Sequence, residues 1–166
     1  MRPTTSRTGA SRTTGVLVLA CGALVLTSCT RSVPGFTNRA PDGDPIDAAR
    51  ALPDAPGVVR QGNAATSCGE FVLGQGEELP AEAVACLSAA TEKEEAGLAW
   101  SHPTTEGDPI VYFAYVASWN QGVGLSVTNE FDSYGGDHGW ASLSCPDATT
   151  ATRPESIGEC NELVEG

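Results

Sequence analysis

"GLAWSHPTTEGDPIVYFAYVASWNQGVGLSVTNE" (Gly97–Glu130) decides the fold, because at Gly97 the apolar pattern changes to a period of two. Side chains that alternate inward and outward mark half-buried strands. Strands are expected at Leu98–His102, Ile110–Ser118 and Val123–Asn129, separated by the turn-forming PTTEGDP and NQG. A fourth, Gly139–Cys145, follows DSYGGD. Short links between sequential strands imply antiparallel neighbours.

Working outward, Glu78–Gly97 (ELPAEAVACLSAATEKEEAG) reads as one helix. Pro80 suits its first turn, Glu82 complements the positive end of the helix dipole, and Gly97 ends it. Leu79, Ala83, Cys86, Leu87 and Ala90 fall on one stripe that would face a sheet. The expected class is α+β: one helix packed on a four-stranded antiparallel meander, after a disordered N-terminal segment.

The strand faces can be assigned. Val123, Leu125 and Val127 share a side and belong to the core, as do Ala141, Leu143 and Cys145; Trp140 falls outside with Ser142 and Ser144. The second strand is apolar on both sides, with Ile110, Tyr112, Ala114 and Val116 opposite Val111, Phe113 and Tyr115. One side must lie away from the helix. Either it is an open aromatic surface, with Tyr112, Tyr115 and Trp140 as candidate binding residues, or the C-terminal tail covers it.

Glu106 and Asp108 flank Gly107 just before that strand, and His102 is close in sequence. An acid/base pair or a ligand contact at Glu106 and Asp108 is one reading. A turn is the simpler one: Gly107 permits φ > 0, Pro109 pushes Asp108 toward an extended backbone, and Asp and Thr side chains accept turn N–H groups. The same GDPI recurs at Gly43–Ile46. No catalytic residue and no cofactor is assigned. Ser126 and Ser133 sit in no G-x-S-x-G elbow, and S-x-x-K and H-E-x-x-H do not occur. Asp132 and Asp137 lack the spacing of an EF-hand calcium loop. Only His102 and His138 would serve as neutral-pH bases.

PTTEGDPI before an aromatic strand, then FDSYGG (Phe131–Gly136), Trp140 and a final cysteine, resemble a small domain family of unknown function. That family occurs in lipoproteins and secreted proteins of Gram-positive bacteria. LGQGEELP…AVACL (Leu73–Leu87) resembles its actinobacterial branch, so the likeness spans nearly all of Cys68–Cys145. It implies a location and a fold but no activity.

The N-terminus agrees with that location. Arg2, Arg7 and Arg12 form a basic region without acids, and Gly15–Leu26 is an apolar run of 12 residues. A bilayer-spanning helix needs about 20 such residues, whereas secretory signals use the shorter length. Leu26-Thr27-Ser28-Cys29 then resembles the lipobox of bacterial lipoproteins. In that family the cysteine thiol takes diacylglycerol, the signal (here residues 1–28) is cut away, and the new N-terminus gains an acyl chain such as palmitate. The alternative V-L-A-C at Val18–Cys21 leaves too few apolar residues ahead of it. Several chains on Cys29, at about 0.8 kcal/mol per buried methylene, would hold the protein on the membrane.

Residues 29–67 are interrupted by Pro34, Pro41, Pro45, Pro53 and Pro56 and by Gly35, Gly43, Gly57 and Gly62, and read as a flexible tether. The domain is then 68–166. Loss of the signal removes three of the nine Lys and Arg and none of the 21 Asp and Glu, taking the formal charge from −12 to −15. Such a surface repels nucleic acid. Cys68, Cys86, Cys145 and Cys160 remain after export, spaced unlike a zinc site, and imply two disulfides. Cys68–Cys86 and Cys145–Cys160 are expected because each closes a short local loop; each would contribute about 3 kcal/mol. The functional expectation is a lipid-anchored, extracytoplasmic binding module without enzymatic activity, facing an envelope protein or cell-wall ligand. The alternative is an envelope enzyme or inhibitor using His102, Glu106 and Asp108.

Overall fold

The computed structural model describes residues 41–62, 66–90, 94–117 and 122–163. The class is α+β, but the sheet has six strands, not four. The four expected strands are its centre: β2 (Ala96–Pro103), β3 (Pro109–Val116), β4 (Val123–Thr128) and β5 (Trp140–Cys145), each antiparallel to the next. Two edge strands were not anticipated. β1 (Thr66–Val72) pairs parallel to β2, with an irregular register between Ser67 and Glu70, and β6 (Asn161–Glu162) pairs with β5. A parallel neighbour needs a crossover, and the helix supplies it.

That helix, α3, is shorter than expected: it runs Ala81–Ala89. Ala90 already has extended backbone, and Ala96 and Gly97 belong to β2 rather than to a helix end. Burying Ala96 and Leu98 in the sheet outweighs the helical preference of the preceding alanines, which is small per residue. Ala83 and Leu87 of the expected stripe are buried, with Leu79, Cys86 and Ala90 packed at their margin.

Two clusters lie on opposite faces of the sheet. The first joins α3 to Leu98, Trp100, Tyr112, Ala114, Val123, Leu125, Leu143 and Cys145. Trp100 and Tyr112, cross-strand partners, stack with centroids 5.0 Å apart. Ala141 was expected here, yet it is exposed at the open end of β5. The C-terminal segment covers the same face through α4 (Ala148–Thr152) and a 3-10 turn (Pro154–Glu159), not the opposite one. Both expected disulfides form: Cys68–Cys86 ties β1 to α3, and Cys145–Cys160 ties β5 to the end of that turn.

The second cluster corrects the tether. Residues 41–62 pack on the sheet as α1 (Pro45–Arg50) and α2 (Gly57–Gln61), and Thr66 and Ser67 lie within β1. Asp44 caps α1 through Ile46 N–H (2.8 Å), and Pro45 opens it. Ile46 and Ala49 are completely buried and Val59 nearly so, against Ala99, Val111, Phe113 and Phe131. A six-residue helix has no stability alone; here an apolar sheet face supplies it. The domain therefore begins before Cys68. Cys29 and residues 1–40, with the rest of the expected signal and tether, lie outside the described residues, as does Ser118.

Candidate functional site

The PTTEGDP segment is a turn. Gly107 N–H bonds to Thr104 O (3.0 Å), Thr104 N–H to Asp108 O (2.8 Å) and Asp108 N–H to Thr104 Oγ1 (3.2 Å). Gly107 sits at φ 96°, a region that side chains disfavour. The Asp108 carboxylate reaches across 25 residues to accept Ser133 N–H at 2.8 Å. In the loop it meets, Asp132 accepts Tyr134 N–H, Asn129 accepts Gly139 N–H, and Asn129 Nδ2 donates to Asp137 O. The two distinctive motifs of the sequence thus clasp each other at one end of the sheet.

The acid/base reading loses its geometry here. Glu106 is exposed, Asp108 is engaged with Ser133, and His102 Nδ1 lies 3.0 Å from Pro103 O, its own neighbour's carbonyl. His138 Nδ1 is 3.1 Å from Asn129 O. Among the described residues no three His, Cys, Asp or Glu side chains come together as a metal site would require.

Nor do the three candidate aromatics form one surface. Tyr112 is 8 % exposed in the first cluster, where burial pushes its phenol pKa up. Tyr115 and Trp140 occupy the other face. Trp140 packs beside Phe113 at 6.0 Å, at the margin of the cluster under α1. Tyr115 borders an open space of its own.

That space is a cleft of about 410 Å³ between α2 and strands β1 to β3. Its origin is local. Tyr115 has glycine as its cross-strand partner on both sides, Gly97 on β2 and Gly124 on β4. The ring lies over Gly124, where a Cβ would come within 2.3 Å of two ring atoms. Ring and glycine fill each other's space, and Gly97, which has no side chain, lines the floor of the cleft. Ala99 extends that floor, while Ser67 and Gly69 of β1 and Val58 of α2 form the banks. Burial pushes the Tyr115 phenol pKa up, and the Ser126 hydroxyl on the same face offsets part of this.

The ends of the cleft differ electrostatically. At one end Arg50 donates to both carboxylate oxygens of Glu70, and its Nη1 also lies 3.4 Å from Asp47. Its guanidinium stacks 5.4 Å from the Phe113 centroid. The hydrogen bond to Glu70 is the main cause that holds Arg50 above its ordinary pKa, against the opposing effect of burial. Fork-to-fork pairing of this kind uses the directional donors of the arginine. At the other end stands Glu95, half-buried, with no ion pair among the described residues. Among the described residues the lining contains no histidine and no cysteine.

Sequence reasoning found Tyr115 but missed the cleft. The roof comes from residues read as tether, and β1, one bank, pairs with β2 only through a crossover. Gly97 and Gly124 were the readable signal, since two glycines in strands otherwise rich in large side chains mark a close approach. No helix among the described residues is long and apolar enough to cross a membrane. No protein-family model, no curated protein and no solved structure matches the chain.

Proposed function

We propose that this protein is a lipid-anchored binding module on the outer face of the cytoplasmic membrane, and that it holds a small ligand in the cleft between α2 and β1 to β3 without turning it over. The cleft carries the reading: about 410 Å³ bounded by apolar and small residues, with a few polar groups at its ends, fits the usual form of a ligand site. The basic N-terminus, the short apolar run and Cys29 after Leu26-Thr27-Ser28 support the anchor. The two disulfides suit an oxidising compartment. The strongly acidic chain argues against nucleic acid as the partner.

Native mass spectrometry of the protein extracted from its own membrane tests this. Wild type should carry a non-covalent adduct, and Gly97→Val, which places a side chain on the cleft floor, should lose it while remaining folded by circular dichroism. An adduct retained in full by folded Gly97→Val would sink the assignment to this cleft.

A further inference from the structure

We infer that the ligand of this cleft is a small cation, a protonated amine or guanidinium carried on an apolar body of several carbons. The inference rests on the cleft being the ligand site. It comes from the balance of charge around the opening. From Glu94 to Thr152 the chain has no Lys or Arg and eight Asp or Glu, and this span contains strands β2 to β5. The strands and turns of this span therefore carry net negative charge, which Lys93 before it and Arg50 and Arg60 on α1 and α2 offset in part. A concave site with low-dielectric walls concentrates the remainder.

The lining carries this balance into the cleft. Among the described lining residues the one arginine, Arg50, donates through Nη1 and Nη2 to Glu70 and Asp47, so an anion approaching those atoms would have to displace a carboxylate already in place. Glu95 is the charge left without an ion partner among the described residues, and it stands at the opposite end of the floor. From Glu95 to Ala99 the extended chain covers about 13 Å at roughly 3.3 Å per residue. A cation of about seven to ten heavy atoms fits that span: its charge lies at Glu95 and its carbon frame on Gly97 and Ala99, between Tyr115 and Val58. The floor itself, Gly97 and Ala99, offers dispersion contact but no hydrogen-bonding side chain, which favours an apolar frame laid against it.

The test uses three probes of similar size and different charge: 2-phenylethylamine, 2-phenylethanol and phenylacetate. Each is titrated into the full-length protein in detergent micelles while amide shifts are followed. The amine should perturb Gly97, Ala99 and Tyr115 and bind roughly fivefold more tightly than the alcohol, the advantage a partly exposed charge pair allows. The carboxylate should be the weakest of the three. Glu95→Gln, which alters a side chain without an ion partner among the described residues, should bring amine and alcohol to parity.

Equal binding of amine and alcohol at those amides in wild type would overturn the cation assignment and leave the cleft as the site. No perturbation of those amides by any probe would overturn both. Preference for the carboxylate would likewise overturn the cation assignment, and an amine advantage that survives Glu95→Gln would overturn the role given to Glu95.

Discussion

Ile46→Ala probes whether residues 41–62 belong to the folded domain. Ile46 is completely buried between α1 and the sheet, among Val111, Phe113 and Phe131. The substitution removes three carbons. At about 0.8 kcal/mol per buried methylene, transfer alone costs about 2.4 kcal/mol. A partly collapsed cavity adds to this, and comparable core truncations fall at ~2–5 kcal/mol. The expected loss is about 3 kcal/mol, measured as a shift in urea midpoint at constant slope. Two local readouts separate global loss from undocking of α1. Trp140, packed at the margin of this cluster, should change its fluorescence. The Ala48 amide, bonded to Asp44 O in wild type at 3.1 Å, should exchange faster. A loss below about 0.5 kcal/mol, typical of surface sites, with exchange at Ala48 already as fast as in an unstructured peptide in wild type, would refute the docking of α1 and restore the tether.

Further expectations follow from single contacts. Gly107→Val should cost about 1–3 kcal/mol by thermal or urea unfolding, because φ 96° is unfavourable to a β-branched residue and no neighbour within 4 Å adds to the effect; Glu106→Gln should be close to neutral. Replacing Cys145 and Cys160 together by serine should cost about 3 kcal/mol, the value for a loop of roughly 15 residues, again by urea unfolding. Asp147 caps α4 through Thr150 N–H at 2.8 Å, which holds its carboxyl below the ordinary value. Its contribution is complete above the unfolded pKa and lost as pH falls through the lower folded one. The stability gap between wild type and Asp147→Ala should therefore narrow on acidification below about pH 4, near the ordinary aspartate pKa. Cys29→Ser should release the protein from membranes, and intact mass of the wild type should show acyl chains on a chain that begins at Cys29; a variant that stays with the membrane fraction would refute the anchor.

What was legible in the sequence was local. The meander β2 to β5 showed in the period of two through Leu98–His102, Ile110–Ser118 and Val123–Asn129 and in the short turns that fix each neighbour, although β2 to β4 are buried on both faces. PTTEGDP announced a turn, since every residue in it had turn chemistry. The two disulfides were readable from the loops they close. What failed depended on contacts distant along the chain. The helices α1 and α2 are too short for periodicity to register; the alternation of prolines and glycines that suggested a tether marks their ends instead, with Pro45 at the start of α1 and Gly62 after α2. The strand β1 shows little inward-outward contrast, having Glu70 and Gly69 at its middle and an irregular register. For the site, Tyr115 was named from its aromatic character, whereas Tyr112 and Trp140 had the same character and different surroundings. Only the register, which sets Tyr115 between two glycines, tells them apart.

The placement of the two cystines divides the molecule into unequal halves. Both lie on the side of α3 and the C-terminal segment, where they belong to one packed cluster. The opposite side, where α1 and α2 rest on Phe113 and beside Tyr115, is held by burial and the Arg50–Glu70 pair, with no covalent bond among the described residues. A cystine limits how far the segments it joins can separate, and neither α1 nor α2 carries one among the described residues. The sheet thus works like a bound book with one cover glued and the other merely closed. The cleft lies on the side without cystines, so a reducing agent acts first on the half of the molecule opposite to it.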